Sequence, residues 1–133
     1  MTMQLNPQPA SLQIADTRDD CKLRAEELYH AALDHVANSN PEAAVTDFRA
    51  ALALAPDFLD AMHGLIRAQQ DAGHLDEAVA TAHKLIALDP DDVLAHTSLS
   101  ILYQRKGMVP EAEAESAKAK ILGWKLQLRA SKR

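Results

Sequence analysis

Six histidines, His30, His35, His63, His74, His83 and His96, carry the most adaptable chemistry in this chain. Imidazole titrates near neutral pH and ligates metals, so it is the first place to look for catalysis or a metal centre. If His30 and His63 lie on adjacent helices they are neighbours, with Asp60 and Arg67 one turn to either side of His63. Two imidazoles hold a metal only with a third ligand, and no residue in register supplies one. Groove-lining or surface positions are the preferred roles for these two. Packing, turns and solvated faces are preferred for His35, His74, His83 and His96. There is no cysteine pair, no glycine-rich phosphate loop and no His-Glu-x-x-His, and no nucleophile stands at a spacing that would bring a base to it. The sequence therefore points to a non-enzymatic protein with no cofactor, no metal and no small-molecule substrate. A bound metal in elemental analysis would reopen the enzymatic alternative.

What positions these side chains is a period. Ala44, Ala78 and Ala112 stand 34 residues apart, and their surroundings repeat with them: Ser39 aligns with Gly73 and Gly107, Leu54 with Leu88 and Leu122, Pro56 with Pro90. Trp124 falls where a third proline would stand. A fixed period of this length marks a repeat array, in which no unit buries its apolar face alone and each stacks on the next.

Within each period two helices are predicted. Thr17 with Asp20 forms a candidate N-cap, and a pattern through Leu28, Ala31, Ala32 and Val36 predicts a first helix of about 20 residues, ending at Asn38. Asn38-Ser39-Asn40-Pro41 turns the chain into a second helix reaching about Leu54. Ala55-Pro56-Asp57 breaks it, with Asp57 expected to cap the next helix. The pattern recurs as helices over about 58–71 and 76–88, a break at Asp89-Pro90-Asp91, and helices over about 92–105 and 109–122. Glycine in the turns permits the left-handed conformation that closes a helix. Residues 1–15, with two prolines and no apolar period, are expected to form a flexible leader.

Composition fits an ordered domain: 47% hydrophobic and 25% charged residues, with alanine abundant and aromatics scarce. No stretch is apolar for the ~18 residues a membrane helix needs, and the opening MTMQLNPQPASLQ lacks a secretory pattern. No membrane insertion is expected, and with the single Cys21 the default compartment is the cytoplasm. Charge is unevenly placed. Up to Ala117 the chain has 8 basic and 19 acidic residues, whereas the rest holds Lys118, Lys120, Lys125, Arg129, Lys132 and Arg133 and no acid. Such a tail can bind phosphates or anionic lipid. The preferred role is plainer, complementing a helix end and keeping it soluble.

Gly73-His74-Leu75-Asp76-Glu77-Ala78 and Leu88-Asp89-Pro90-Asp91, set in the 34-residue period, resemble the tetratricopeptide repeat (TPR) family. The resemblance spans about Ala25 to Trp124. It implies an all-α fold, an α-solenoid of three helix-turn-helix repeats over residues 16–124, with units of about 25–58, 59–92 and 93–124. Residues 125–133 form a basic C-terminal cap or tail, the end of a capping helix extension. Ala44, Ala78 and Ala112 match the small residue that lets two helices approach closely. Departures are Leu28, Met62 and His96 for the family's early tryptophan, and Ala32, Ile66 and Ser100 for its glycine. Ala82 and Ser116 stand where Phe48 keeps its phenylalanine.

The resemblance further implies that first helices line a concave groove for a protein or peptide segment. Mapped here, the groove comprises Tyr29, His30 and Leu33, then Asp60, His63 and Arg67, then Leu94, Thr97, Ser98, Ile101 and Arg105, with Glu26, Val36, Ala37, Gly64 and Gln70 beside them. One branch of the family clamps terminal carboxylates with lysine, asparagine and arginine. This chain has Tyr29, Leu33, Gly64, Leu94 and Ser98 at those positions, so no such clamp is expected. Arg67 and Arg105 remain candidates for holding one acidic group. Gly64 costs roughly 1 kcal/mol inside a helix, which a partner's close backbone approach or neutral drift would equally explain.

Losing the proline at Trp124 lets the last helix continue to about Ala130, aligning Ile121, Trp124 and Leu128. This segment is expected to cap the array, the alternative being that Trp124 anchors a partner. The preferred function is an adaptor or scaffold binding a partner in the groove. The alternative is a structural protein that self-assembles through its end faces as a homo-oligomer. Nucleic-acid binding by the tail is weaker, and predicts a salt dependence lost on truncation after Gly123.

Overall fold

A computed structural model describes residues 10–132, and within them the chain is six helices: α1 (Ala10–Ala37), α2 (Pro41–Leu54), α3 (Leu59–Asp71), α4 (Leu75–Leu88), α5 (Val93–Arg105) and α6 (Val109–Ser131). Each helix packs on the one before it and the one after. Contacts also run from α1 to α3 and from α3 to α5, but not between α2, α4 and α6. Helices α1, α3 and α5 therefore form the crowded inner layer of a curved array, and α2, α4 and α6 the outer one.

The turns within the pairs share one geometry. Ser39, Gly73 and Gly107 have φ of 59°, 84° and 78°. In each turn the next amide donates back five residues: Asn40 N to His35 O, His74 N to Gln69 O and Met108 N to Tyr103 O, all 2.8 Å. These bonds satisfy carbonyls that the helix ends would leave unpaired. Between pairs the chain breaks at Pro56 and Pro90. Asp57 does not cap α3. The N-cap is Phe58, whose ring packs 5.0 Å from that of Tyr29 between centroids and offers no cap acceptor. One period later the same position is Asp92, and there a side-chain oxygen accepts from Ala95 N at 3.1 Å.

The first helix departs from expectation. It begins at Ala10, so Thr17 lies inside it rather than at its cap, and 10–15 of the expected leader are helical. The stretch from Ala10 to Asn40 contains no proline or glycine, and its Ala, Leu, Gln and Arg residues favour helix. Residues 1–9 of the leader lie outside the described residues.

Two apolar clusters fill the array. Phe48, Ala32, Ala44, Ala51, Leu65 and their neighbours join the first repeat to α3. Met62, Ile66, Leu85, Leu99 and Leu102 join the second repeat to α5. Ala44, Ala78 and Ala112 are buried, as close helix approach requires. The third pair is joined differently. One period after Met62 and Ile66 stand His96 and Ser100, and both find partners on α6: His96 Nδ1 lies 2.8 Å from Glu115 Oε1, and Ser100 Oγ donates to Ala112 O at 2.8 Å. The contact between the two helices of the third repeat is thus partly polar.

Helix α6 does continue past Trp124. Its inward residues are Ala112, Glu115 and Ala119, then the half-buried Leu122 and Leu126, and Arg129 reaches Asp91 at 3.3 Å. This spacing puts Ile121, Trp124 and Leu128 on the opposite side, where they are 50%, 67% and 61% exposed. Trp124 therefore does not close the array, contrary to expectation. Leu122 and Leu126 are the apolar residues that turn inward.

Candidate partner-binding groove

On the inner layer α3 and α5 run side by side and leave between them a cavity of about 340 Å³. Successive turns of α3 present His63, Arg67 and Gln70, and those of α5 present Leu94, Ser98, Ile101 and Arg105. The spacing follows from helix geometry, since residues three, four and seven apart share a face. Six of the eleven sequence-expected groove residues, His63, Arg67, Leu94, Ser98, Ile101 and Arg105, meet here.

The other five do not line this cavity. Tyr29 belongs to an aromatic cluster, with ring centroids 5.9 Å from Phe48, 5.0 Å from Phe58 and 5.5 Å from His30. Leu33 is exposed further along α1, and Asp60 is exposed at the start of α3. Thr97 turns its hydroxyl back to its own helix, donating to Val93 O at 3.2 Å.

Polar groups in the cavity are partly spoken for. His63 Nε2 stands 2.6 Å from Asp92 Oδ2, so its partner is the N-cap of α5. Asp92 thereby serves two tasks with its two oxygens, capping α5 and holding the His63 ring across from α3. Arg67 Nε reaches Asp71 at 3.4 Å in an exposed i,i+4 pair, a contact worth well under ~1 kcal/mol in water. Arg105 has no ion-pair partner among the described residues. Two guanidinium groups therefore face the cavity against the single carboxylate of Asp71, beside an apolar wall of Ile66, Leu94 and Ile101. Sequence reasoning missed Asp92 and Ile66. Asp92 aligns with Phe58, so the repeat gave no hint of it, and Ile66 sits where the family pattern has glycine.

A larger depression of about 570 Å³ lies on the outer side between α2 and α4. The paired side chains of Arg49 and Glu77 run along it, and its buried Gln69 accepts from Thr81 at 2.9 Å. Apart from Lys84 its polar side chains are engaged with one another, so it offers a ligand less than the inner cavity does.

A family model for the tetratricopeptide repeat matches residues 35–102, just over half of the chain. The chain belongs to the tetratricopeptide repeat family. No curated protein matches it. Among solved structures, MamA superposes with a TM-score of 0.73 at 26% identity, over 77% of this chain and 60% of MamA. This TPR protein thus spans about three fifths of the length of that relative. The translocator chaperone SycD of Yersinia enterocolitica gives a TM-score of 0.71 at 23% identity, covering 74% of this chain and 73% of SycD. SycD has also been solved in complex with a peptide of the translocator YopD. The TPR domain of Arabidopsis FLU gives 0.70 at 20% identity, covering 76% of this chain and 95% of that domain. At such identities SycD and FLU bear on the fold alone.

Proposed function

We propose that this TPR protein is a non-enzymatic adaptor that holds a segment of a partner protein in the groove between α3 and α5. The observation that carries this is the convergence of an apolar wall, Ile66, Leu94 and Ile101, with two guanidinium groups opposed by one carboxylate. Apolar area supplies affinity, and a charge-assisted bond to an acidic side chain supplies register. The preferred partner is a peptide with an acidic residue flanked by apolar ones. SycD, which shares the fold, has been solved with a peptide, and this supports the choice of a peptide ligand. His63 is engaged by Asp92, which fits a binding role for the groove. The lone Cys21 is consistent with action in a reducing compartment such as the cytoplasm.

The test is affinity capture from native extract with the wild-type chain and with the double variant Ile101→Ala, Arg67→Glu. Both positions are exposed, so the fold should survive. A protein retained by the wild type and released by the double variant supports the groove. Equal retention by both sinks it.

A further inference from the structure

We propose a second interaction surface, separate from the groove and independent of it: the outward stripe of α6 docks on the outward face of α1 in another copy of this chain. The stripe is Ile121, Trp124 and Leu128, spaced to lie along one side of a helix and all half or more exposed. A depression of about 400 Å³ beside Trp124 is lined by Gln127, Leu128 and Ser131. The segment from Lys118 onward carries six cations and no acid. Exposed apolar residues grouped in this way mark a contact surface rather than ordinary surface composition.

Charge selects the occupant. Two α6 helices laid against each other would bring like charges together, which rules out a symmetric pairing through this stripe. An acidic counterpart exists at the other end of the same chain. Leu23 on α1 is 59% exposed, and one turn before and after it stand Asp19, Asp20, Glu26 and Glu27, all exposed. Arg24 pairs with Glu27 at 3.2 Å, and Lys22 and Arg18 add two cations nearby, so the acids exceed the bases around Leu23. An exposed leucine on a face where four acids stand against three bases complements a tryptophan-centred stripe whose segment carries cations and no acid. Because the two faces differ and each copy carries both, the contact either closes reciprocally into a dimer or runs head-to-tail.

Trp124 is the single tryptophan of the chain, so its emission reports on the stripe directly. The experiment follows sedimentation and Trp124 emission of the full chain against concentration, at low salt and at about 0.5 M salt, where screening confines charge effects to a few Å. The expected result is association with a blue shift at low salt, weakened by salt. Trp124→Glu loses the fluorophore along with the stripe, so it and Leu23→Lys are followed by sedimentation. Each should associate at least about tenfold more weakly, the equivalent of one lost interface anchor. Mixed together, the two variants retain one intact face each and should form a 1:1 complex and stop there. A wild type that stays monomeric at low salt overturns the proposal, as does association that survives Trp124→Glu, or a variant mixture that stays monomeric. A monomer whose Trp124 emission shifts only on vesicles of anionic phospholipid also overturns it, and assigns the stripe to a membrane surface. Far-ultraviolet circular dichroism of both variants should match the wild type, since both side chains are exposed. None of these readouts depends on the groove.

Discussion

The ring of Phe48 lies directly on the backbone of Gly64. A Cβ added at Gly64 would stand 3.0 Å from Phe48 Cε2 and nearer still to Cε1 and Cζ, closer than packed carbons allow. Phe48 is fully buried and flanked by Tyr29, so its ring has little room to retreat. The glycine is thus explained by packing between α2 and α3. Neither drift nor the approach of a partner's backbone is needed. Helix propensity lost at Gly64 is offset by burial of a whole phenylalanine, worth ~1.5–3 kcal/mol against ~1.

Gly64→Ala should therefore destabilise the protein despite alanine's better propensity. Overpacking costs ~1–3 kcal/mol, of which the propensity gain returns up to ~1. Urea denaturation should show a net loss of about 1–2 kcal/mol. Combined with Phe48→Leu, the alanine should be tolerated better than in the wild-type background. A Gly64→Ala variant as stable as wild type would show that the ring does not hold this position.

Ser39 stands at φ 59° in the turn where the other two repeats have glycine. Left-handed backbone costs a residue with a Cβ roughly 1–2 kcal/mol, while glycine loses up to ~1 kcal/mol more chain entropy on folding. Ser39→Gly should stabilise the chain by about 0.5 kcal/mol. The converse substitutions Gly73→Ser and Gly107→Ser should each cost about 0.5–1 kcal/mol. An added Cβ meets nothing within 4 Å at either glycine, so the effect is one of backbone conformation alone. Thermal melts of the three variants check the sign at each turn.

Most of the fold was legible because it rests on features that repeat. The breakers at Pro56 and Pro90, the turns at Ser39, Gly73 and Gly107 and the small residues at Ala44, Ala78 and Ala112 fix helix number and order. What the sequence hid is pairwise and non-periodic. Gly64 is explained only by Phe48, and Asp92 matters to the groove only because His63 lies across from it. Tyr29 matched a groove position in register, yet its ring turns to Phe48 and Phe58. Trp124 was misjudged for a different reason: a missing proline predicts that a helix continues, but not which side of it faces inward.

Asp92 joins the cap of α5 to the His63 ring, and the two tasks separate by substitution. Asn serves as an N-cap about as well as Asp but carries no charge. Asp92→Asn should keep most of the stability and weaken only the hold on His63. Asp92→Ala loses the acceptor for Ala95 N as well and should cost about 1–2 kcal/mol. Chemical denaturation separates the two variants. If Asn and Ala were equally damaging, the pairing with His63 would outweigh the cap.

Glu115 makes the contact between α5 and α6 sensitive to acid. Burial by itself raises the carboxyl's pKa, but hydrogen bonds from His96 and Lys118 and their positive charge outweigh it, and the group is held below the ordinary carboxylate range. Lys118 is exposed and is the weaker partner. A folded-state pKa below the unfolded one means that the folded protein keeps Glu115 ionised to lower pH than the unfolded chain does. Its contribution is complete above the unfolded value, about 4.3, and disappears as pH falls through the lower folded value. Stability of the wild type should therefore fall from about pH 5 downwards more steeply than that of Glu115→Gln, which has no proton to take up. Near pH 7 the wild type should be the more stable of the two, because Gln lacks the charge that His96 and Lys118 face. Denaturation midpoints of both proteins across this range decide the matter, and parallel curves would show that the Glu115 carboxylate does not link α5 to α6.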